Sequence, residues 1–157
     1  MCGAISLNQS ELPIELIREF CLEGHGHARE TTMEFWFQAW DAMPVLPVRF
    51  DTELTVLEWG NARRTSSKLP KGNWCRKESL DAGKWKWLKP QPVVIPANFA
   101  KEKKAGAWFL VTEGMRGIVV RDENSKQHVY MLTTEATHYY QTMTRHNREP
   151  VFLGEQI

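Results

Sequence analysis

The chain has no long apolar run. Its hydrophobic stretches are strand-sized and broken by charges within a few residues. That excludes a membrane-spanning helix of about 20 apolar residues and the apolar core of a signal peptide. Repeats and low-complexity tracts are missing too, so neither a solenoid nor a disordered linker is expected. Cysteine is scarce: Cys2, Cys21 and Cys75 are odd in number and far apart. Such spacing builds no disulfide framework and no thiolate metal site, and it predicts free thiols in a cytoplasmic, reducing compartment. His25 and His27 form a His-x-His pair, but no Cys or His partner stands at a familiar ligand spacing, so a polar loop is the reading and no metal is expected.

Net charge is also nearly absent, at +1 from 20 basic and 19 acidic residues. The balance conceals an asymmetry. Residues 61–89 carry nine Lys and Arg against Glu78 and Asp81, a local charge of +7 inside a remainder of −6. A basic segment within an acidic molecule is a candidate phosphate-backbone footprint. Trp74, Trp85 and Trp87 lie among those cations, an arrangement that suits stacking on unpaired bases. An ordinary solvated loop and helix is the plain alternative.

What is present is enough for one domain: 157 residues, 42% hydrophobic, seven tryptophans. Such a chain buries roughly two-thirds of its unfolded surface in a single core. Residues 2–7 read as a short strand. Ser10 reads as the N-cap of a helix whose apolar stripe is Ile14, Leu16, Ile17, Phe20 and Cys21, ended by Gly24 and Gly26. Residues 33–50 alternate extended pieces with turns at Pro44 and Pro47, and 54–59 alternates as a strand. Residues 60–73 form a basic loop without apolar periodicity, and 78–88 a short helix stopped by Pro90 and Pro92. Val93–Ile95 is a buried strand running into a loop or strand exit at 96–102. Strands at 107–112, 117–121 and 128–133, a helix at 135–144 and a last strand at 151–153 complete the chain. The prediction is a single α+β domain, 1–157, with a curved or barrel-like, mainly antiparallel sheet and a few flanking helices.

The opening Met1-Cys2-Gly3 carries the chemistry. Methionine is trimmed before small residues, which leaves Cys2 with a free α-amine and a thiol on adjacent carbons. Reference pKa values of about 7.7–8.0 and about 8.5 keep both partly nucleophilic at neutral pH. A 1,2-aminothiol condenses with an aldehyde through an imine to a thiazolidine, which no internal cysteine can do. The alternative is a small apolar residue opening a strand.

Four blocks stand in order along the chain: Cys2-Gly3, Arg76-Lys77-Glu78-Ser79, Pro96-Ala97-Asn98 through Glu102, and His146-Asn147-Arg148-Glu149-Pro150. Together, over residues 2 to about 153, they resemble the SRAP family (SOS response-associated peptidase), whose members act as abasic-site processing proteins. That family reads Met-Cys-Gly-Arg, then Asn-Ala-Arg-x-Glu-Thr, Ile-Pro-Ala-Asp-Gly-aromatic-aromatic-Glu, and His-x-Arg-Met-Pro. This chain departs at Ala4 for Arg, Asn98 for Asp, Phe99 for Gly, Ala100 and Lys101 for the aromatics, and Glu149 for Met. With Arg76 in register, Trp74 falls in the place of the family's asparagine. Asn73 is one residue off, and Asn61 in an upstream Asn-Ala-Arg is a rival.

The resemblance implies covalent capture of ring-opened abasic sites in single-stranded DNA. Cys2 would form the thiazolidine, Glu102 would orient the ammonium and shuttle its proton, and His146 would serve acid–base work on the sugar. Arg76 and Arg148 would clamp phosphates, with Gly3, Arg63 and Trp74 as further DNA contacts. No cofactor, no membrane and a monomer go with it. Without the family, Glu102 reads as a surface charge beside Lys101, Lys103 and Lys104, and His146 as a turn histidine. Two rival functions remain: a cysteine-type (auto)peptidase using Cys2 with His146, and a non-catalytic single-stranded nucleic-acid-binding module.

Overall fold

The computed structural model describes residues 1–102 and 106–154. Two sheets share one core. The first has the order β2-β3-β1-β8-β9, built from β1 (Cys2–Asn8), β2 (Gly26–Arg29), β3 (Thr32–Gln38), β8 (Phe99–Glu102) and β9 (Trp108–Leu110). The second contains β4 (Val45–Phe50), β5 (Glu53–Trp59), β7 (Gln91–Ile95), β10 (Met115–Arg121) and β11 (Gln127–Glu135). Their order β10-β7-β4-β5-β11 returns to β10 by a direct β10–β11 pairing, so the five strands close into a barrel. β6 (Trp74–Arg76) and β12 (Arg148–Pro150) add to β11. The predicted mixed α+β fold with a barrel-like, mainly antiparallel sheet is the one observed. Closure removes the exposed edges that an open sheet would leave for aggregation.

The core joins both sheets: Ile5, Leu7 and Phe37 from the first pack with Leu46, Val48, Trp59, Ile95 and Met131 from the second. β1 is buried along nearly its whole length, although its outer face carries Ala4 and Ser6. Trp36 on β3 and Trp108 on β9 meet at 5.1 Å, across the two strands that separate them.

Several boundaries move. Ser10 caps nothing: it sits in a 3-10 turn (Gln9–Glu11), and α1 (Ile14–Glu19) starts behind Pro13. Cys21 leaves the apolar stripe, because α1 stops and Cys21 turns to φ 54°, exposed. His25 and His27 occupy a 3-10 turn and β2, with His27 stacked on Trp36 at 3.5 Å. The helix expected at 78–88 is α2 (Lys77–Asp81) plus a 3-10 turn (Lys86–Leu88), split at Gly83 with φ +80°. The helix expected at 135–144 is α3 (His138–Thr144), since Glu135 still pairs with Arg148 in β11. The last strand is Arg148–Pro150, and the expected 151–153 segment forms only an isolated antiparallel bridge, Phe152 with Met115.

The basic stretch is folded, not loose. Leu69, Trp85 and Leu88 pack with Ile118, Val120, Tyr130 and Leu132 on the outside of the barrel, and the Tyr130 hydroxyl donates to the Pro70 carbonyl at 2.6 Å. Apolar residues too sparse for a period still anchor a strap when a barrel wall lies beneath them.

Candidate functional site

Cys2 is cross-strand partner to Glu102 in the β1–β8 pair, where the register slips so that Gly3 is an extra residue. The slip has a chemical consequence. Along an unbroken strand Cys2 would share the outer face of Ala4 and Ser6. One bulged residue turns it inward instead, into the cluster of Ile5 and Leu7. Glu102 follows on the same inner side as Ala100 and is 3% exposed, so it is not the surface charge that its lysine neighbours suggest. Lys101 is half-buried over the Trp108 ring, and Lys103 and Lys104 lie outside the described residues.

Three elements converge on this pair. The Met1 α-amine contacts Glu102 Oε2 at 2.9 Å. The Tyr140 hydroxyl on α3 donates to Glu102 Oε1. The Trp74 indole N–H on β6 donates to the Cys2 carbonyl at 2.9 Å. A buried carboxylate without donors is costly, and here both oxygens are satisfied.

Burial, and then the Glu102 charge, pushes the Cys2 thiol up to about 12. Its Sγ donates to the Ala4 carbonyl at 3.4 Å. The thiol is thus protonated at neutral pH, unlike the partly ionised group that a reference value suggests. Burial likewise raises the Tyr140 phenol, with the charges of Cys2 and Glu102 adding to it, so its proton stays put.

The other sequence candidates fall into separate places. His146, half-buried in the turn between α3 and β12, uses Nδ1 to accept from the Arg148 N–H at 3.1 Å. That bond leaves Nε2 as its hydrogen-bearing nitrogen in the neutral ring. Neither this contact nor that of Cys2 Sγ is the thiol–imidazole bond of a cysteine peptidase. Asn73 is buried, its amide donating to the Trp59 carbonyl at 2.9 Å. Asn61 staples the strap through Ser66 and Leu69. Trp74 alone of the three asparagine-place candidates touches Cys2, and its ring stands edge-on to Trp59 at 6.2 Å.

Gly3 sits in the bulge, accepting from Ala39 N–H at 2.8 Å. Arg63 and Arg76 are exposed. Arg148 is committed: its guanidinium grips Glu78 at 2.8 Å and both oxygens of Thr133. The same grip holds the Glu78 carboxyl at about 2, well below its usual range. An open polar cleft of about 490 Å³ lies here, with Arg76, Lys84 and Arg148 set against Glu78 and Glu135 in its lining. Sequence reasoning missed Tyr140, which reads as one more apolar-face residue of a short helix. No motif in the chain signals its contact with Glu102.

Among the described residues no cluster of His, Cys, Asp or Glu suits a metal ion, and no helix is long and apolar enough to cross a membrane. No protein-family model, curated protein or solved structure matches the chain.

Proposed function

We propose that this protein captures abasic sites in single-stranded DNA, forming a thiazolidine with the Cys2 aminothiol once Met1 is removed. This is the activity implied by the resemblance to the SRAP family. The observation that carries it is the pairing of Cys2 with buried Glu102, beside a chain-terminal amine held on that carboxylate at 2.9 Å. Trimming Met1 brings the new amine onto the strand position opposite Glu102. An amine fixed in a sheet, against a proton acceptor, is what imine formation needs and what a floppy terminus lacks.

The steps balance without any redox partner. The amine, having passed a proton to Glu102, adds to the aldehyde carbon of the ring-opened sugar. The carbon–oxygen bond then breaks and water leaves, giving an imine. The thiol S–H adds across the C=N bond: sulfur bonds to carbon and the proton goes to nitrogen. The net change is aldehyde plus aminothiol to thiazolidine plus water. A thiol protonated at neutral pH delivers that proton itself. His146, whose Nδ1 accepts from the Arg148 N–H, is the residue that the resemblance assigns to the sugar oxygen.

Phosphates would meet the cations of the strap. Arg63, Arg76, Lys84 and Lys86 are exposed there, and Trp87 offers a 59% exposed ring for a base. Arg148 then acts through Glu78 to shape the cleft rather than as a free clamp.

The test uses protein whose Met1 removal is confirmed by mass, and a single-stranded oligonucleotide carrying one abasic site. A band that survives denaturation without borohydride, and is lost in Cys2→Ser, is the expected result. Non-covalent affinity of Cys2→Ser should fall steeply with salt, the logarithmic slope rising by about 0.7 for each phosphate neutralised. No covalent band would sink the proposal and leave the binding module as the better reading.

A further inference from the structure

We infer that Tyr140 is a positioning residue for this chemistry, dividing the two oxygens of Glu102 between a donor that keeps its proton and one that gives it up. The inference rests on the thiazolidine reading above.

Tyr140 is 2% exposed, and its ring is wedged edge-on against Phe109 at 5.7 Å and tilted against Phe152 at 6.3 Å. Those contacts fix where the hydroxyl points. It donates to Glu102 Oε1, while Oε2 takes the terminal amine at 2.9 Å. The two donors differ in kind. Burial together with the nearby Cys2 and Glu102 charges keeps the phenol neutral far above physiological pH, so it gives a hydrogen bond and never the proton. The α-amine, by contrast, must shed a proton before its nitrogen can attack an aldehyde. Oε1 is therefore occupied permanently, and Oε2 is the oxygen left to receive the amine proton.

A carboxylate held by the amine alone could swivel about its side-chain bonds. The phenol removes that freedom and keeps Oε2 in line with the amine, which is how positioning lowers a barrier. The helix around Tyr140 supports that role. Tyr140 N–H is capped by Thr137 Oγ1 at 3.1 Å, and Thr144 Oγ1 donates to the Tyr140 carbonyl at 2.8 Å, so the helix turn bearing the phenol is pinned at both ends. A hydroxyl placed only to satisfy a core position would need no such aim at a carboxylate.

The experiment measures single-turnover adduct formation against pH for wild type, Tyr140→Phe, Glu102→Gln and the double variant, all with Met1 removed. Two aldehydes are used: the abasic oligonucleotide on denaturing gels, and glyoxylate with the thiazolidine read by mass. Phe keeps the ring packing, so the melting temperature of Tyr140→Phe should stay within a few degrees of wild type. Its rate should drop about tenfold, a loss typical of misplacing a catalytic group. The pH profile of its rate should change shape, because the carboxylate that takes the amine proton has lost one of its two donors. In the Glu102→Gln background Tyr140→Phe should add less than about twofold, since the phenol then has no carboxylate to position.

A wild-type rate and profile in Tyr140→Phe, or an equal loss in both backgrounds, would overturn the inference while adduct formation itself stands. If wild type reacts with glyoxylate and not with the oligonucleotide, the DNA reading fails and the role of Tyr140 is decided on glyoxylate rates. If wild type reacts with neither, both fall.

Discussion

At the scale of single residues, environment overrides intrinsic chemistry. Cys2 and Cys21 are the same side chain, yet one is sealed in the core with its thiol pushed up to about 12 and the other is exposed. Thiol reagents attack the thiolate and need access, so labelling at neutral pH should invert what the motif suggests. Iodoacetamide on native protein that retains Met1 should modify Cys21 first, with Cys2 reacting only once Met1 is removed or the fold opens. Peptide mass mapping reads this directly, and rapid labelling of Cys2 would contradict the buried placement. Arg148 shows the same override: the resemblance to the SRAP family marks it for DNA, but Glu78 and Thr133 already hold its guanidinium. The motif names the residue, and only its neighbours decide whether its charge is free.

Elements bring the site together, and two of them can be broken selectively. Thr137 caps α3 by accepting from Tyr140 N–H. Thr137→Ala should cost about 1 kcal/mol of stability by chemical denaturation. Because α3 carries Tyr140, the variant should also slow adduct formation more than its stability loss accounts for.

The second element is the crossing at the end of β5. Gly60 has φ +66°, and a Cβ there would stand 2.2 Å from the Gly72 carbonyl oxygen and 2.5 Å from Asn73 Cα. Backbone meets backbone, so nothing can yield cheaply. Gly60→Ala should lower stability by roughly 2–4 kcal/mol and displace the Asn73–Trp74 segment that reaches Cys2. A melting temperature equal to wild type would show that the two segments are less tightly opposed.

For the whole molecule, a buried polar cluster couples the barrel to pH. His128 is fully buried, with Nε2 at 2.9 Å from Asp122 Oδ2 and Nδ1 at 2.9 Å from both the Gly60 carbonyl and Glu58 Oε2. Burial alone would raise the Asp122 carboxyl, but hydrogen bonds from His128 and from the N–H groups of Lys126 and Asn124 outweigh it and hold it low. A carboxyl depressed in the folded state stabilises above its unfolded value of about 4 and loses that contribution as pH falls through its folded value. Melting temperature should therefore drop on acidification below about pH 4, and Asp122→Asn should flatten the drop while lowering stability at pH 7. Glu78 is also depressed, but its carboxylate is exposed and Arg148 keeps both oxygens of Thr133, so Glu78→Gln should change stability by less than about 1 kcal/mol. An unchanged acid profile in Asp122→Asn would move the pH dependence elsewhere.

The sequence by itself determined the fold class, because strand periods, turn residues and a shortage of long helical stripes are local signals. It also marked Cys2 and Glu102 as candidates through the spacing of four short blocks, and the structure pairs the two across β1 and β8. Tertiary structure decided the rest. Whether Cys2 faces the core hangs on one bulged residue, Gly3, and a one-residue slip reverses every face with no trace in composition. The strap at 61–89 looked like solvated loop because its few apolar anchors are aperiodic, and only the barrel wall beneath explains them. Tyr140 meets Glu102 across 38 residues of chain. No local rule pairs a helix tyrosine with a strand carboxylate; the packing of α3 over the end of β8 does.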